Sequence, residues 1–467
     1  MNSYSLIGRQ TEVKISRGSN VRFRAGFWKE VESPFGQSIR STSVGIGLLS
    51  HHHVFPPNEA LAMGYYKIGF KHVALVLLKV VVVVALQVPS SQVTINAGSK
   101  FNASHFDATI TAFMQERAIP GLSVAVTYDD RLVYASGFGY ADVKNKEPVA
   151  TTDRFRLASV SKSITAIAIM HLAEIGALSI SDHVFGPGGI LGHMYGREPY
   201  SAMVLNITVQ HLLEHTSGFV NDDMCGKDCD PTYLREFFEL DQWELVGALL
   251  DHYDPSHEPG TFASYSNFGY FILGRAVEAA SGVFPYEKYV REQVLSKMKV
   301  NDMRIANDKR RKHEVVYYDE DDPKAPYQFH VERRDSVGAW IATPTDLVRI
   351  AAAIDGLSRS RNFLNKTTRT SMYKKTTVEG SDFAKGWRVK LDEKAVLREA
   401  CKDGDYVGTN SILEINFVDK TAFAIVVNRE IPHNENFNGG ADLKTLMDGL
   451  IAGVDEWPDY DLFEENR

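Results

Sequence analysis

Phe155-Arg156-Leu157-Ala158-Ser159-Val160-Ser161-Lys162-Ser163 runs directly into Ile164-Thr165-Ala166-Ile167-Ala168-Ile169-Met170, and the apolar stretch reaches helical length by Ile175. On a helix, residues i and i+3 share a face, so the Ser159 hydroxyl and the Lys162 amine can meet. A serine hydroxyl becomes a nucleophile only when a nearby base takes its proton. A lysine is such a base once burial or a second cation lowers its pKa, and the apolar continuation supplies the burial. Ser-x-x-Lys recurs by chance in long chains, so its meaning depends on what accompanies it.

Two further stretches do. Pro259-Gly260 and then Tyr265-Ser266-Asn267 open a second helix. The Tyr265 hydroxyl can relay protons, and the Asn267 amide both donates and accepts toward a substrate amide. Lys402-Asp403-Gly404 precedes Thr409 and a strand over 411–417. Lys402 would attract a substrate carboxylate and depress the Lys162 or Tyr265 pKa, and Gly404 lets the backbone approach a ligand closely.

Around these motifs the pattern predicts a helix over 104–118 and strands over Leu122–Tyr128 and Leu132–Gly139, turning at Asp129-Asp130. The middle is helix-rich, over Val209–Glu214, Leu234–Leu250, Phe268–Ala280 and Tyr286–Lys297. Ser411–Phe417 and Thr421–Val427 read as a hairpin, and Ala441–Val454 as a closing helix. Strands at both ends with helices between them predict an α+β fold: one antiparallel sheet built from both termini, flanked by helices, plus a helical lobe, with a cleft between. The catalytic domain is expected over 99–455, after a poorly structured extension (1–62) and a leader with linker (63–98), and before a tail (456–467).

The chain resembles the serine β-lactamase-related family, in its class C, DD-peptidase and esterase branch, as a eukaryotic β-lactamase-domain protein. The resemblance covers about residues 103–452. It rests on Phe155–Ser163, Leu212-Leu213-Glu214-His215-Thr216-Ser217-Gly218, Tyr265-Ser266-Asn267 and Gly338–Leu347. It implies that Ser159 is acylated, that Lys162 and Tyr265 handle protons, and that Asn267 clamps the substrate. It further implies an oxyanion hole from the backbone N–H groups of Ser159 and Asp405. No cofactor is implied, and the partner is a small-molecule or peptide substrate. The residues alone do not say which of Lys162 and Tyr265 takes the first proton.

One segment departs from the family. Its third motif usually reads Lys-Thr-Gly or His-x-Gly, whereas this chain has Lys402-Asp403-Gly404-Asp405. Two carboxylates beside the oxyanion site repel both an anionic intermediate and a substrate carboxylate. The expectation is an acyl-enzyme hydrolase for a neutral ester, amide or peptide rather than a β-lactamase. The alternatives are an inactive fold used for binding or polymerisation and, more remotely, a zinc peptidase, because His211-Leu212-Leu213-Glu214-His215 spells an inverted zincin pattern.

Composition is globular, with 44% hydrophobic and 24% charged residues in 467. Residues 1–90 carry ten Lys/Arg and four acids, so residues 91–467 hold 41 basic and 55 acidic side chains, net −14. So acidic a body has no footprint for nucleic acid. Lys79 interrupts the apolar run from Val73 to Leu86, which reads as a secretory leader starting from Met63 or, uncleaved, as a marginal anchor over 73–88. Three sequons, at Asn102, Asn206 and Asn365, favour a secreted glycoprotein; the arginines near the start leave a mitochondrial leader as the alternative. Cys225 and Cys229 either close a small disulfide loop or stay as loop thiols, and Cys401 is left over.

Overall fold

The computed structural model describes residues 12–15, 19–22, 90–92 and 101–465, except 228, 358–361 and 435–436. The chain divides into two units, 1–87 and 88–467. In the first, within the stretch read as poorly structured, Glu12–Ile15 pairs antiparallel with Ser19–Arg22. The leader expected from Met63 and the 73–88 run lie outside the described residues. Among the described residues no helix is long and apolar enough to cross a membrane.

In the second unit, the sheet joins both ends of the chain. Its strand order is Arg388–Leu391, Leu397–Tyr406, Thr409–Asn416, Thr421–Val427, Gly121–Tyr128, Arg131–Asp142 and Ser90–Gln92, with Glu147–Pro148 paired beside Arg131–Asp142. All neighbours are antiparallel, and Ala125 lies opposite Ala424 where the early and late strands meet. The central strands are buried almost throughout, as a sheet covered on both faces requires. Side chains alternate across the pleat. Leu122, Val124 and Val126 join Phe106, Ile110, Leu443 and Met447 from helices Ala103–Glu116 and Ala441–Ala452 in one core. Ala125, Ala424 and Val426 face the larger core on the other side.

That larger core surrounds helix Ser161–Glu174, buried along most of its length; a helix apolar all round belongs inside. It packs against helix Asn267–Ser281, and the Leu397–Tyr406 strand packs on the turn before it. The serine therefore sits where sheet and helical lobe meet.

Three expectations need correction. The helix read over Leu234–Leu250 is a 3-10 turn, Arg235–Phe237, followed by a helix over Gln242–His252. A capping box starts that helix late: Asp241 accepts from the Trp243 and Glu244 N–H groups, and Glu244 accepts from Asp241 N–H. The helix expected over Tyr286–Lys297 widens into π turns over Val290–Leu295. The stretch read as a tail packs down: Trp457 stacks on Tyr128 and Phe101, and Leu462 is buried.

Candidate active site

Ser159 lies on a 3-10 turn, Ala158–Val160, that leads into helix Ser161–Glu174. Ala158 takes a left-handed φ of 43°, a conformation costing on the order of 1–3 kcal/mol that surrounding structure must hold. The sheet supplies part of that hold: Ser411 Oγ donates to the Leu157 carbonyl at 2.6 Å. Gly404 fits against the same turn because it has no Cβ; one built there would lie 2.2 Å from the Leu157 carbonyl and 3.0 Å from Ser159 N.

Two side chains converge on the half-buried serine. Lys162 Nζ is 3.0 Å from Ser159 Oγ and donates to the Val337 carbonyl at 3.0 Å. The Tyr265 hydroxyl donates to Ser159 Oγ at 2.6 Å. Burial pushes the Lys162 ammonium well below its ordinary pKa; Lys402 and Arg334 push the same way, against Asp230 and Asp403. Loss of solvation pushes the Tyr265 phenol well above its ordinary value, a rise that its bond to Ser159 opposes and Asp403 reinforces. The two shifts favour the free amine on Lys162 and the protonated phenol on Tyr265.

Lys402 is buried, with Nζ 4.7 Å from the Tyr265 ring centroid, while Lys162 Nζ is 5.0 Å from it. Its cation thus lies on the same ring as Lys162, where its charge lowers the Lys162 pKa as expected. Burial lowers its pKa, against the raising effect of Asp403. Along the strand Lys402, Gly404 and Tyr406 are buried, while Asp403 and Asp405 are exposed. Burial pushes the Asp403 carboxyl up, but Lys402, its own backbone N–H and Arg388 outweigh this and hold it below the usual carboxylate range. Asp405 Oδ2 lies 3.4 Å from His433 Nε2. Burial, then the charge and hydrogen bond of Asp405, raise Glu430 to about 7.

Asn267 opens helix Asn267–Ser281, and its Nδ2 donates to Asp230 Oδ2. A carboxylate only accepts, so this partner fixes which way the amide points. Asp230 in turn accepts from Thr232 N–H and Oγ1–H, at 2.8 and 2.7 Å.

Sequence reasoning passed over two supports. Arg334 is buried behind Lys162, donating to the Tyr406 hydroxyl (2.9 Å) and to Thr232 Oγ1 (3.1 Å), with its guanidinium 3.8 Å from the Tyr233 ring centroid. No local motif marks it. His215, the last residue of the zincin-like pattern, packs 4.6 Å from the Tyr265 ring and accepts from Ser266 N–H through Nδ1. Burial lowers its pKa well below the usual value, helped by Lys402 and Lys162, so it is a neutral post beneath the Tyr265 segment. The helix Val209–Leu213 ends before it, and His215 has a φ of 56°. His211 instead serves the helix start, its Nδ1 accepting from Thr208 N–H. The two histidines do not share a helical face, which removes the geometric basis of the zinc reading.

Cys225 and Cys229 are joined by a disulfide, and Cys401 is free. Asn102, Asn206 and Asn365 are exposed, and Asn102 and Asn365 cap helices.

The Beta-lactamase family profile matches residues 106–446. The chain belongs to this family of serine hydrolases, whose members include carboxypeptidases and amidohydrolases. Protein flp of Staphylococcus aureus is 24% identical over 302 residues, 64% of this chain and 58% of that protein. Penicillin-binding protein 4* of Bacillus subtilis is 31% identical over 188 residues, 38% and 36% of the two chains. The chain thus spans less than two thirds of either relative. An octameric penicillin-binding protein homologue from Pyrococcus abyssi superposes with a TM-score of 0.60 at 22% identity, covering 78% of this chain and 81% of that one. Its likeness establishes the β-lactamase/transpeptidase-like fold.

Proposed function

We propose that this protein is a serine hydrolase that forms an acyl-enzyme on an ester, amide or peptide, with Ser159 as nucleophile. The observation that carries the reading is the meeting of Lys162 Nζ and the Tyr265 hydroxyl at Ser159 Oγ, at 3.0 and 2.6 Å. The opposite pKa directions of the pair support Lys162 as the group that takes the serine proton. Tyr265 then hands its proton to the leaving group as the intermediate collapses, and the proton held on Lys162 passes to the Tyr265 oxygen, which restores both groups. The backbone N–H groups of Ser159 and Asp405 would hold the oxyanion, and Asn267 the acyl side chain's amide. Water attacks the ester intermediate by the same proton path in reverse.

The disulfide and the exposed sequon asparagines support passage through the secretory pathway, since disulfides persist in oxidising compartments.

The test is covalent labelling with a neutral fluorophosphonate. Wild type should label at Ser159 and turn over a simple ester, and Ser159→Ala should do neither while unfolding within about 1 kcal/mol of wild type. Folded wild type that never labels would favour the inactive, binding fold. Turnover lost to a chelator and restored by zinc would favour the metal reading instead.

A further inference from the structure

Charge around Ser159 is sorted by depth. Lys162, Lys402 and Arg334 are all buried. Each is engaged from inside: Lys162 by the Val337 carbonyl, Lys402 over the Tyr265 ring, Arg334 by Tyr406, Thr232 and the Tyr233 ring. The exposed charges that act on them are Asp403 and Arg388, while Asp230 is partly buried. Asp403 stands in the strand position after Lys402, exposed, and close enough for its charge to act on both Lys162 and Tyr265. From the helical side, Asp230 acts on the same lysine and holds the Asn267 amide. Arg388, on the adjoining strand, is an exposed cation in reach of Asp403, but it is paired with Asp382 at 2.6 Å. His433 and Glu430 attend Asp405, two residues further on.

We propose that this arrangement makes the cleft selective for cationic acyl donors, namely esters, amides or peptides bearing a protonated amine close to the scissile carbonyl, with Asp403 as the specificity-determining residue and Asp230 assisting through Asn267. The inference rests on the serine-hydrolase reading and deepens it. Lys402 and Arg334 serve reactivity by adding to the burial that favours the free amine of Lys162. They cannot draw in a substrate carboxylate past Asp403 without leaving that carboxylate beside another. An ammonium meets an exposed carboxylate at the mouth and an amide braced by a second one further in. Such a pair is screened by salt when exposed, so the preference should weaken as ionic strength rises.

Two fluorophosphonates identical except for one ammonium group test this, because labelling reports on the site whatever the natural substrate. At low salt the ammonium probe should label Ser159 about tenfold faster than its neutral isostere, and the advantage should shrink severalfold in 0.5 M salt. Asp403→Asn should remove most of the advantage while leaving the neutral probe's rate within about threefold. Asp403→Lys should invert the preference. A purely structural role for Asp403 would slow both probes together. Equal rates for the two probes in wild type, or an advantage untouched by Asp403→Asn, would overturn the selectivity but leave the serine chemistry standing. No labelling of folded wild type by either probe would overturn both.

Discussion

The turn and helix carrying Ser159 and Lys162 and the strand carrying Lys402 to Asp405 face each other across the site, yet they are organised differently. On the helix, neighbouring residues on every side are buried, and what Lys162 can do follows from desolvation. On the strand, buried and exposed positions alternate, so one segment sends a cation and a close-packed glycine inward and two carboxylates outward. The contrast separates reactivity from selectivity: the first depends on groups removed from water, the second on groups left in it.

Lys162→Ala strikes the first region hardest. Loss of the base should lower kcat/KM by at least about 10³-fold, and the Ser159→Ala/Lys162→Ala double variant should be no slower than either single variant, because residues acting as a unit are not additive. A double variant much slower than both would mean that the two act independently.

Gly404→Ala probes the seam between the regions. A Cβ 2.2 Å from the Leu157 carbonyl forces the strand or the Ser159 turn to move. Overpacking of this kind costs about 1–3 kcal/mol, and a nucleophile displaced by about 1 Å loses on the order of 10²-fold in rate. Thermal unfolding read beside ester turnover checks both, and a fully active, equally stable variant would show that the seam is loose.

The smallest expected effect sharpens the comparison most. Lys402 lowers the Lys162 pKa and Asp403 raises it. The reactive form is the free amine, so activity falls as pH drops through that pKa. Lys402→Met should move the acid limb of kcat/KM to higher pH, and Asp403→Asn should move it to lower pH. Opposite shifts from adjacent residues would establish that the strand's two faces act on one amine; shifts of the same sign would break the distinction.

Much of this was legible without coordinates where the determinants are local. The three-residue spacing of Ser159 and Lys162, the helix opening at Asn267 and the hairpin of 411–417 with 421–427 each declare themselves within a few residues, and the sheet built from both termini followed from strands read at both ends. What was not legible is non-local. Arg334 reaches the site from a 3-10 turn over Val331–Arg334, and the hold of Asp230 on Asn267 spans 37 positions. The depth of Lys402 depends on Tyr265 lying against it. The late start of the helix at Gln242 was readable in Asp241 and Glu244, but the apolar pattern upstream outweighed that cap.

The Cys225–Cys229 bridge closes its loop immediately before Asp230, the residue that holds the Asn267 amide. A loop this short contributes only about 2 kcal/mol through chain entropy, so a reductant should spare the fold and act on its neighbourhood. The placing of Asp230 against the Asn267 amide thereby follows the thiol balance of its surroundings: with the bridge oxidised, Asp230 follows a closed ring of chain, and with it reduced, a freer one.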